Sequence, residues 1–522
     1  MFRTDVQNSD APAPDTPGTP HTLDAAFDVA VVGAGMAGMA TALRLQAAGL
    51  STVVLEAHGH AGGCAGYYRR RGFSFDVGAT TLVDFEAGGV GAELLDSVGL
   101  GPLDAEPLPG YRAFLPDREL VLHRDPGLWH AERLRALGDS EPHRRFWALL
   151  DRLAETFWRA SRAGVRLPVR GPAAALQDVR ALGATGLPLA RYLRWTLGDA
   201  LRHHGLRDDL PLTGLLAMLV EDTVHTGLDD APLINAALGV TIRGAGLSRH
   251  TGGMHGFWRA LVSHYRALGG RLRFASAVTG VDGGPDRYTL TTRRAAVCAR
   301  RVVCAVPAST TARICATLPV AARLRPFLRR DADALGGACV VLLGVPEDEV
   351  TGQTLTHHQL MHSYRRPLGE GNNMFVSVSA QGDTLSAPPG HRAVMISTHT
   401  ELAAWQGLDE VGYQQRKKEL TELLIHQARR AFPRLGERAV IVQAGTPRSY
   451  ERFAFRPAGA VGGPRQRPAN TNQHALPHDL AGRGSGLWLV GDSTWPGLGT
   501  VACVLGSRIV AEGMVREKGF RQ

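Results

Sequence analysis

Lysine is almost missing from this chain: of 58 basic residues among 522, only Lys417, Lys418 and Lys518 are lysine, leaving 55 arginines. The net charge of +9 therefore rests on arginine, a bias that reads as genome composition as much as function. Positive charge invites nucleic acid or an anionic membrane as partner. No basic-and-aromatic motif or finger spacing accompanies it, so nucleic acid is set aside. The six cysteines (Cys64, Cys298, Cys304, Cys315, Cys339, Cys503) include no CxxC pair, which argues against zinc or a disulfide framework and fits a reducing cytoplasm. The doublets His203-His204 and His357-His358 lack ligand spacing and read as solvated or locally hydrogen-bonded, so no metal is expected. No run approaches the ~18 consecutive apolar residues of a spanning helix; the longest, Gly337 to Val345, is strand-sized. Residues 1–26, rich in Pro, Asp and Thr, lack a basic segment followed by an apolar one and read as a disordered leader.

What is abundant is glycine, and two glycine-rich segments at opposite ends carry the argument. The first runs Phe27-Asp-Val-Ala-Val-Val-Gly33-Ala-Gly35-Met-Ala-Gly38, then a helical stretch closed by Gly49, then Ser51 to Leu55 and Glu56. This is the strand–turn–helix–strand–acid pattern of dinucleotide binding. Gly33 permits the tight turn, Gly35 lets backbone N–H groups approach a pyrophosphate, and Gly38 lets helix and strand pack closely. The helix directs its N-terminal dipole at the phosphates. Glu56, 18 residues past Gly38, can accept both hydroxyls of a ribose.

Three features favour FAD over NAD. Gly62-Gly63-Cys64 offers a second close backbone approach. Arg71 to Thr80 continues as a buried strand into a small-residue turn. Near the C-terminus, Leu487-Trp-Leu-Val-Gly491-Asp492 places a carboxylate for the ribityl chain, and Gly499-Thr500-Val501 starts a helix whose dipole can stabilise negative charge on a reduced flavin ring. There is no second complete strand–GxGxxG–helix unit, so electrons must pass to something diffusible. Gly252-Gly253-Met254 opens an amphipathic helix from His255 to Leu268, and a strand pair leads to Val278, whose backbone is the expected adenine contact. Arg301 to Pro307 reads as another buried strand.

The fold expected is α/β: a Rossmann-like FAD-binding domain built from 27–85, 240–310 and 480–515, interleaved with an α+β substrate domain from 86–239 and 311–479. The first insertion reads as helical. The second reads as a mixed sheet with strands near Ala338–Val345, Met374–Ser379 and Val394–Thr398.

The joint pattern resembles the phytoene desaturase-like family of FAD-dependent carotenoid oxidoreductases, within the amine-oxidase type of flavoprotein, and most nearly the bacterial carotenoid 3',4'-desaturases. The narrower likeness rests on Gly62-Gly-Cys-Ala-Gly, Phe75-Asp-Val-Gly-Ala-Thr-Thr, Glu86-Ala-Gly-Gly, Phe146-Trp, Thr356-His-His-Gln359, Phe375-Val-Ser-Val-Ser379, Ala387-Pro-Pro-Gly390, Thr446-Pro-Arg-Ser-Tyr-Glu-Arg452 and Gly491 to Thr500. It runs from about Phe27 to Glu512. Many relatives have arginine where this chain has Cys64, which removes an expected cationic contact there. The resemblance implies desaturation of a hydrophobic C40 carotenoid, one bearing a 1'-hydroxyl end group, on a route to keto-carotenoids such as deinoxanthin. A carotenoid isomerase, a ketolase or another phytoene-type desaturase would share these motifs. A non-catalytic lipid escort on the same fold is the remote alternative.

An allylic C–H is too weak an acid for a side chain to attack first, so the site needs a dry apolar path and precise placement against the cofactor. The sequence identifies no catalytic base; His357, Glu401 and Glu451 each read better as structural. Quinone or oxygen would take the electrons. A water-insoluble substrate implies loading from a membrane. Between Ala131 and Leu210, 14 Arg stand against 9 acids with Trp147, Trp158 and Trp195 interleaved. That pattern suits a protein of the cytoplasm resting on the inner membrane face.

Overall fold

The computed structural model describes residues 26–517, so the leader lies outside them apart from its last residue. The strand Phe27–Val32 is buried along almost its whole length, as its β-branched run demands of a central parallel strand. It pairs in parallel with Thr52–Leu55 on one side and Ala296–Cys304 on the other. The sheet continues to Arg271–Arg273 beyond the former, and to Arg287–Thr292 and Val278–Gly284 beyond the latter. The C-terminal strand Leu487–Leu489 also pairs in parallel with Ala296–Cys304, so both ends of the chain meet in one sheet. Helices Met36–Ala47, Gly253–Ala267 and Thr500–Arg516 share one apolar core over it, including Met39, Leu43, Phe257, Trp258 and Val510.

A second sheet is ordered Ile441–Gly445, Gly337–Pro346, His391–Thr400, Asn373–Val378, His357–Met361, Gly110–Phe114, Glu119–His123. The expected strands of the second insertion are present, each longer at one or both ends than the sequence suggested or shifted by a residue. The first insertion is not purely helical: the Gly110–His123 hairpin completes this sheet by parallel pairing with His357–Met361. Its inward residues Tyr111, Ala113, Leu120 and Leu122 alternate over only five residues per strand, too short a run to stand out beside the helices that follow.

Those helices, among them Glu141–Arg162, Leu210–Val224 and Leu233–Val240, enclose a second apolar core. Trp147 belongs to that core rather than to a lipid-facing set. It is 1% exposed, lies 5.7 Å from the Trp129 ring, and carries the Arg133 guanidinium 4.9 Å above it. No helix among the described residues is long and apolar enough to cross a membrane.

Candidate functional site

The N-terminal turn follows from its glycines. Gly33 has φ +100°, and a Cβ there would sit 2.8 Å from the Ala305 carbonyl oxygen. At Gly38 a Cβ would collide with the Gly33 carbonyl, so the helix can approach the strand only because both positions are bare. Gly35 caps the helix without any side-chain hydrogen bond, and the first turn holds no acidic residue. The second glycine turn lies against it: Gly62 N–H donates to the Ala34 carbonyl at 3.0 Å, and Gly35 and Gly62 form a β-bridge. Gly63 follows in the left-handed region, so the backbones of Gly35 and Gly63 approach with no side chain between them.

Glu56 leaves the end of strand Thr52–Leu55 and turns back. One carboxylate oxygen accepts from Ala34 N–H at 2.6 Å and the other from His58 N–H at 2.8 Å. Burial pushes its carboxyl above the usual range, and these backbone bonds oppose that shift only partly. With about four lone-pair sites on a carboxylate, two remain for a ligand. The chain leading into Val278 passes beside Glu56: Ala275 and Ser276 donate to the carbonyls of His58 and Glu56 at 2.9 and 2.8 Å.

From the C-terminal side, Val490 N–H reaches the Cys304 carbonyl at 3.0 Å. Gly491 is next, where a Cβ would lie 3.9 Å from the Ala37 Cβ in the first turn of the N-terminal helix. Asp492 follows. Gly499, at φ +97°, caps helix Thr500–Arg516, again with no side-chain cap, so the N–H groups around Thr500 and Val501 are open. Two glycine-capped helix N-termini with no acid in the first turn leave orphan donors and positive dipole ends. With a buried carboxylate at Glu56, they suit the pyrophosphate, the ribose and the electron-rich ring of a flavin dinucleotide.

Sequence reasoning missed Arg456. Its Nη1 lies 3.0 Å from the Asp492 carboxylate, with the two side chains only 12% and 19% exposed. It also donates to the carbonyls of Ala460, at 3.1 Å, and Gly462. Cys64 and Cys503 are close enough to act on its charge. A loop nearly four hundred residues after Cys64 thus brings a cation to its neighbourhood and to Asp492. Nothing local marks it, because it is one of 55 arginines.

The three candidate bases fare differently. His357 is fully buried, stacked on Tyr111 with centroids 5.1 Å apart, its Nδ1 on Thr356 Oγ1 at 2.8 Å and its Nε2 without a partner. Of the two readings open for the His357-His358 doublet, local hydrogen bonding holds at His357 and solvation does not. Successive residues of a strand face opposite sides, and here both sides are covered, His358 packing on Phe114 and Phe432. Glu401 is 68% exposed and paired with Arg465, and Glu451 is exposed, so neither joins the site.

Residues 36–514 match the family model described as flavin containing amine oxidoreductase. Among curated proteins, the chain is 25% identical over 516 residues to prolycopene isomerase 2 of an Oncidium hybrid cultivar, spanning 95% of this chain and 85% of that protein. It is 26% identical over 533 residues to phytoene dehydrogenase of Streptomyces griseus, spanning 93% and 94%. Among solved structures, putrescine oxidase bound to putrescine superposes with a TM-score of 0.62 at 16% identity, over 94% of this chain and 99% of that one. A fatty acid isomerase from P. acnes gives 0.57 at 14% identity, over 93% and 98%. At these identities the structural matches speak for the fold alone.

Proposed function

This chain belongs to the family of flavin-containing amine oxidoreductases, its cofactor is FAD, and from that premise we propose that it desaturates a carotenoid, forming a C=C bond at C-3',4' of a chain that carries a 1'-hydroxyl. The observation that supports a polyene most directly is the reach of the helical apolar core. Phe146, Leu150, Leu215 and Leu219 belong to a cluster against which Phe375 and Val501 pack, and Val501 lies in the first turn after Gly499. Apolar packing therefore runs without a break from the substrate layer to the turn assigned to the cofactor.

Gly33, Gly35, Gly38, Gly62, Gly63, Glu56, Val278, Gly491, Asp492, Gly499, Thr500 and Val501 would hold the dinucleotide. Bound FAD supplies an acceptor for the hydride of one C–H bond, while the neighbouring carbon releases a proton and the electron pair becomes the new double bond. The protein's share is to exclude water, fix the reacting carbons and favour negative charge at the Thr500 helix end. Quinone or oxygen would take up the two electrons removed from the substrate. A second reading, carotenoid isomerisation, is favoured by the likeness to prolycopene isomerase along 95% of the chain.

Incubating the FAD-loaded protein with 1'-hydroxy-γ-carotene and a quinone in liposomes tests both. A product two hydrogens lighter and red-shifted is expected. An unchanged mass at a new retention time would move the assignment to isomerase, and added oxygen to ketolase. Firmly bound flavin would exclude the lipid escort.

Loading from a membrane is part of the same proposal, with the protein on the inner face. Leu176, Val179, Leu187 and Leu193 are 50, 44, 43 and 41% exposed, and Arg180, Arg191 and Arg194 beside them are exposed as well. Apolar side chains flanked by arginine suit an anionic interface, where each Arg adds about 1 kcal/mol. Sedimentation with phosphatidylglycerol vesicles should capture the wild type in a salt-dependent way. Leu176→Glu/Val179→Glu/Leu193→Glu should lower the bound fraction by about tenfold or more with the flavin spectrum unchanged; equal binding would remove this surface from consideration.

A further inference from the structure

A polar cluster stands where the helical apolar core meets the cofactor turn, and the chemistry described so far does not use it. Helix Leu210–Val224 ends at His225, whose left-handed conformation (φ 59°, ψ 26°) stops the helix there. The His225 ring packs toward Gly462 and Leu498: a Cβ built on Gly462 would lie 2.8 Å from His225 Cε1 and 3.1 Å from Leu498. Leu498 sits between Gly497 and Gly499, in the turn that opens helix Thr500–Arg516. Arg456, the partner of Asp492, is near enough to act on the charge of His225. The imidazole is thus lodged beside the C-terminal half of the dinucleotide site.

Behind it runs a chain of polar groups. The His399 ring, on strand His391–Thr400, lies 5.0 Å from that of His225, and His399 Nε2 is 3.5 Å from Asp222 Oδ1. The other Asp222 oxygen accepts from Gln359, and Glu221 accepts from Asn373 Nδ2 at 2.5 Å. Asp222 and His399 side chains keep 29% and 25% of their surface open. His225 makes no hydrogen bond at either ring nitrogen among the described residues, although burial, with His399 and Arg465 adding to it, keeps the ring neutral down to about pH 3. The rear of the cluster is tied down and the front is not.

A polyene offers such a front nothing, and covering it with hydrocarbon would leave its polar atoms unpaired at a cost. A hydroxyl answers it, since it can donate to a neutral imidazole nitrogen or a carboxylate and accept from an imidazole N–H. We propose that His225 and His399, the latter held by Asp222, form a hydroxyl-recognition site that selects a polyene carrying a tertiary alcohol near the bond to be oxidised. The inference rests on the polyene reading above and adds the residues that set specificity within it. Sites built to pair a substrate hydroxyl reject the analogue lacking it far more strongly than apolar pockets separate homologues.

Binding to the FAD-loaded enzyme, followed as a perturbation of the flavin absorbance, keeps the two claims apart. The probes are γ-carotene and 1'-hydroxy-γ-carotene in detergent micelles. The proteins are wild type, His225→Phe and, in case the left-handed position tolerates Phe poorly, His399→Phe. The wild type should bind the alcohol at least about tenfold more tightly than the hydrocarbon. Each variant should bring the two within about twofold of each other by weakening only the alcohol. Equal wild-type affinities, or a preference that survives both substitutions, would overturn the hydroxyl site and leave the polyene assignment standing. Failure of the wild type to bind either probe would overturn the polyene assignment and this inference with it.

Discussion

Glu56→Ala is expected to weaken FAD binding by about two to three orders of magnitude while leaving the apoprotein folded, because charge-assisted bonds to the ribose are worth roughly 1.5–3 kcal/mol each. The carboxylate already accepts from Ala34 and His58, which aim it, and its remaining lone pairs are the ones assigned to the ribose. Its cost without ligand is equally physical: burial raises its pKa, so ionised Glu56 opposes folding of the empty protein. Glu56→Gln removes that cost and keeps an oxygen for Ala34 N–H, but turns its NH2 toward the His58 N–H, which loses its acceptor. The two effects oppose each other, so the Gln variant should melt close to the wild type as apoprotein, yet bind FAD about tenfold more weakly. The sign with pH follows. A folded-state pKa above the unfolded value means the folded chain binds more protons between the two, so the apoprotein gains stability as pH falls through the raised pKa, and the gain levels off near the unfolded value. Glu56→Gln should flatten that part of the profile. Fluorescence quenching of added FAD, with Tm measured with and without FAD, reads both effects, since the ligand increment scales as RT ln(1 + [L]/Kd). An unchanged FAD dissociation constant in Glu56→Ala would remove Glu56 from the site.

What the sequence made legible, and what it hid, divides by range. The turn at Gly33–Gly38 could be read because its constraints are local: a positive φ, a bare Cα facing a carbonyl and a strand of β-branched residues all lie within a dozen positions. The C-terminal Gly491–Val501 segment was readable for the same reason, and its partnership with the N-terminal turn was inferred from chemistry that needs both. Arg456 carries no such mark, since its role depends on a loop returning to Asp492. His225 and His399 are 174 positions apart, and a helix end crossing the register of the second sheet is what joins them. For the His357-His358 doublet the sequence left solvation and local hydrogen bonding both open, and a strand covered on both faces buries whatever it carries, so only the second survives, at His357. Trp147 misled: an Arg-rich helix with tryptophan looks amphipathic toward lipid, yet the ring faces the core and Arg133 covers it. Side-chain direction on a helix is settled by what packs on it, and that partner, Trp129, comes from another helix.

Arg456→Met should be the most damaging single change in the C-terminal half of the site, and its consequences separate into two. The first is structural. Removing one member of a largely buried ion pair leaves the other uncompensated, at a cost of about 3 kcal/mol or more, which a melting curve would register as a fall of several degrees. The carbonyls of Ala460 and Gly462 lose their donor as well, loosening the loop beside Asp492. The second is electrostatic. Arg456 is the cation closest to Asp492, with Cys64 and Cys503 as its neighbours, so without it the reduced, more negative state of a bound flavin loses support. The two-electron potential should then fall by about 30 mV, a tenfold change in the equilibrium. The double variant Arg456→Met/Asp492→Asn distinguishes the two consequences. It removes both charges of the pair, so most of the lost stability should return, the non-additivity expected of a coupled pair. FAD affinity and potential should stay low, because neither the carboxylate offered to the ribityl chain nor the cation has been restored. If the double variant recovered flavin affinity along with stability, Arg456 would be a loop clamp alone, and the positive charge missing at Cys64 would have no substitute in this fold.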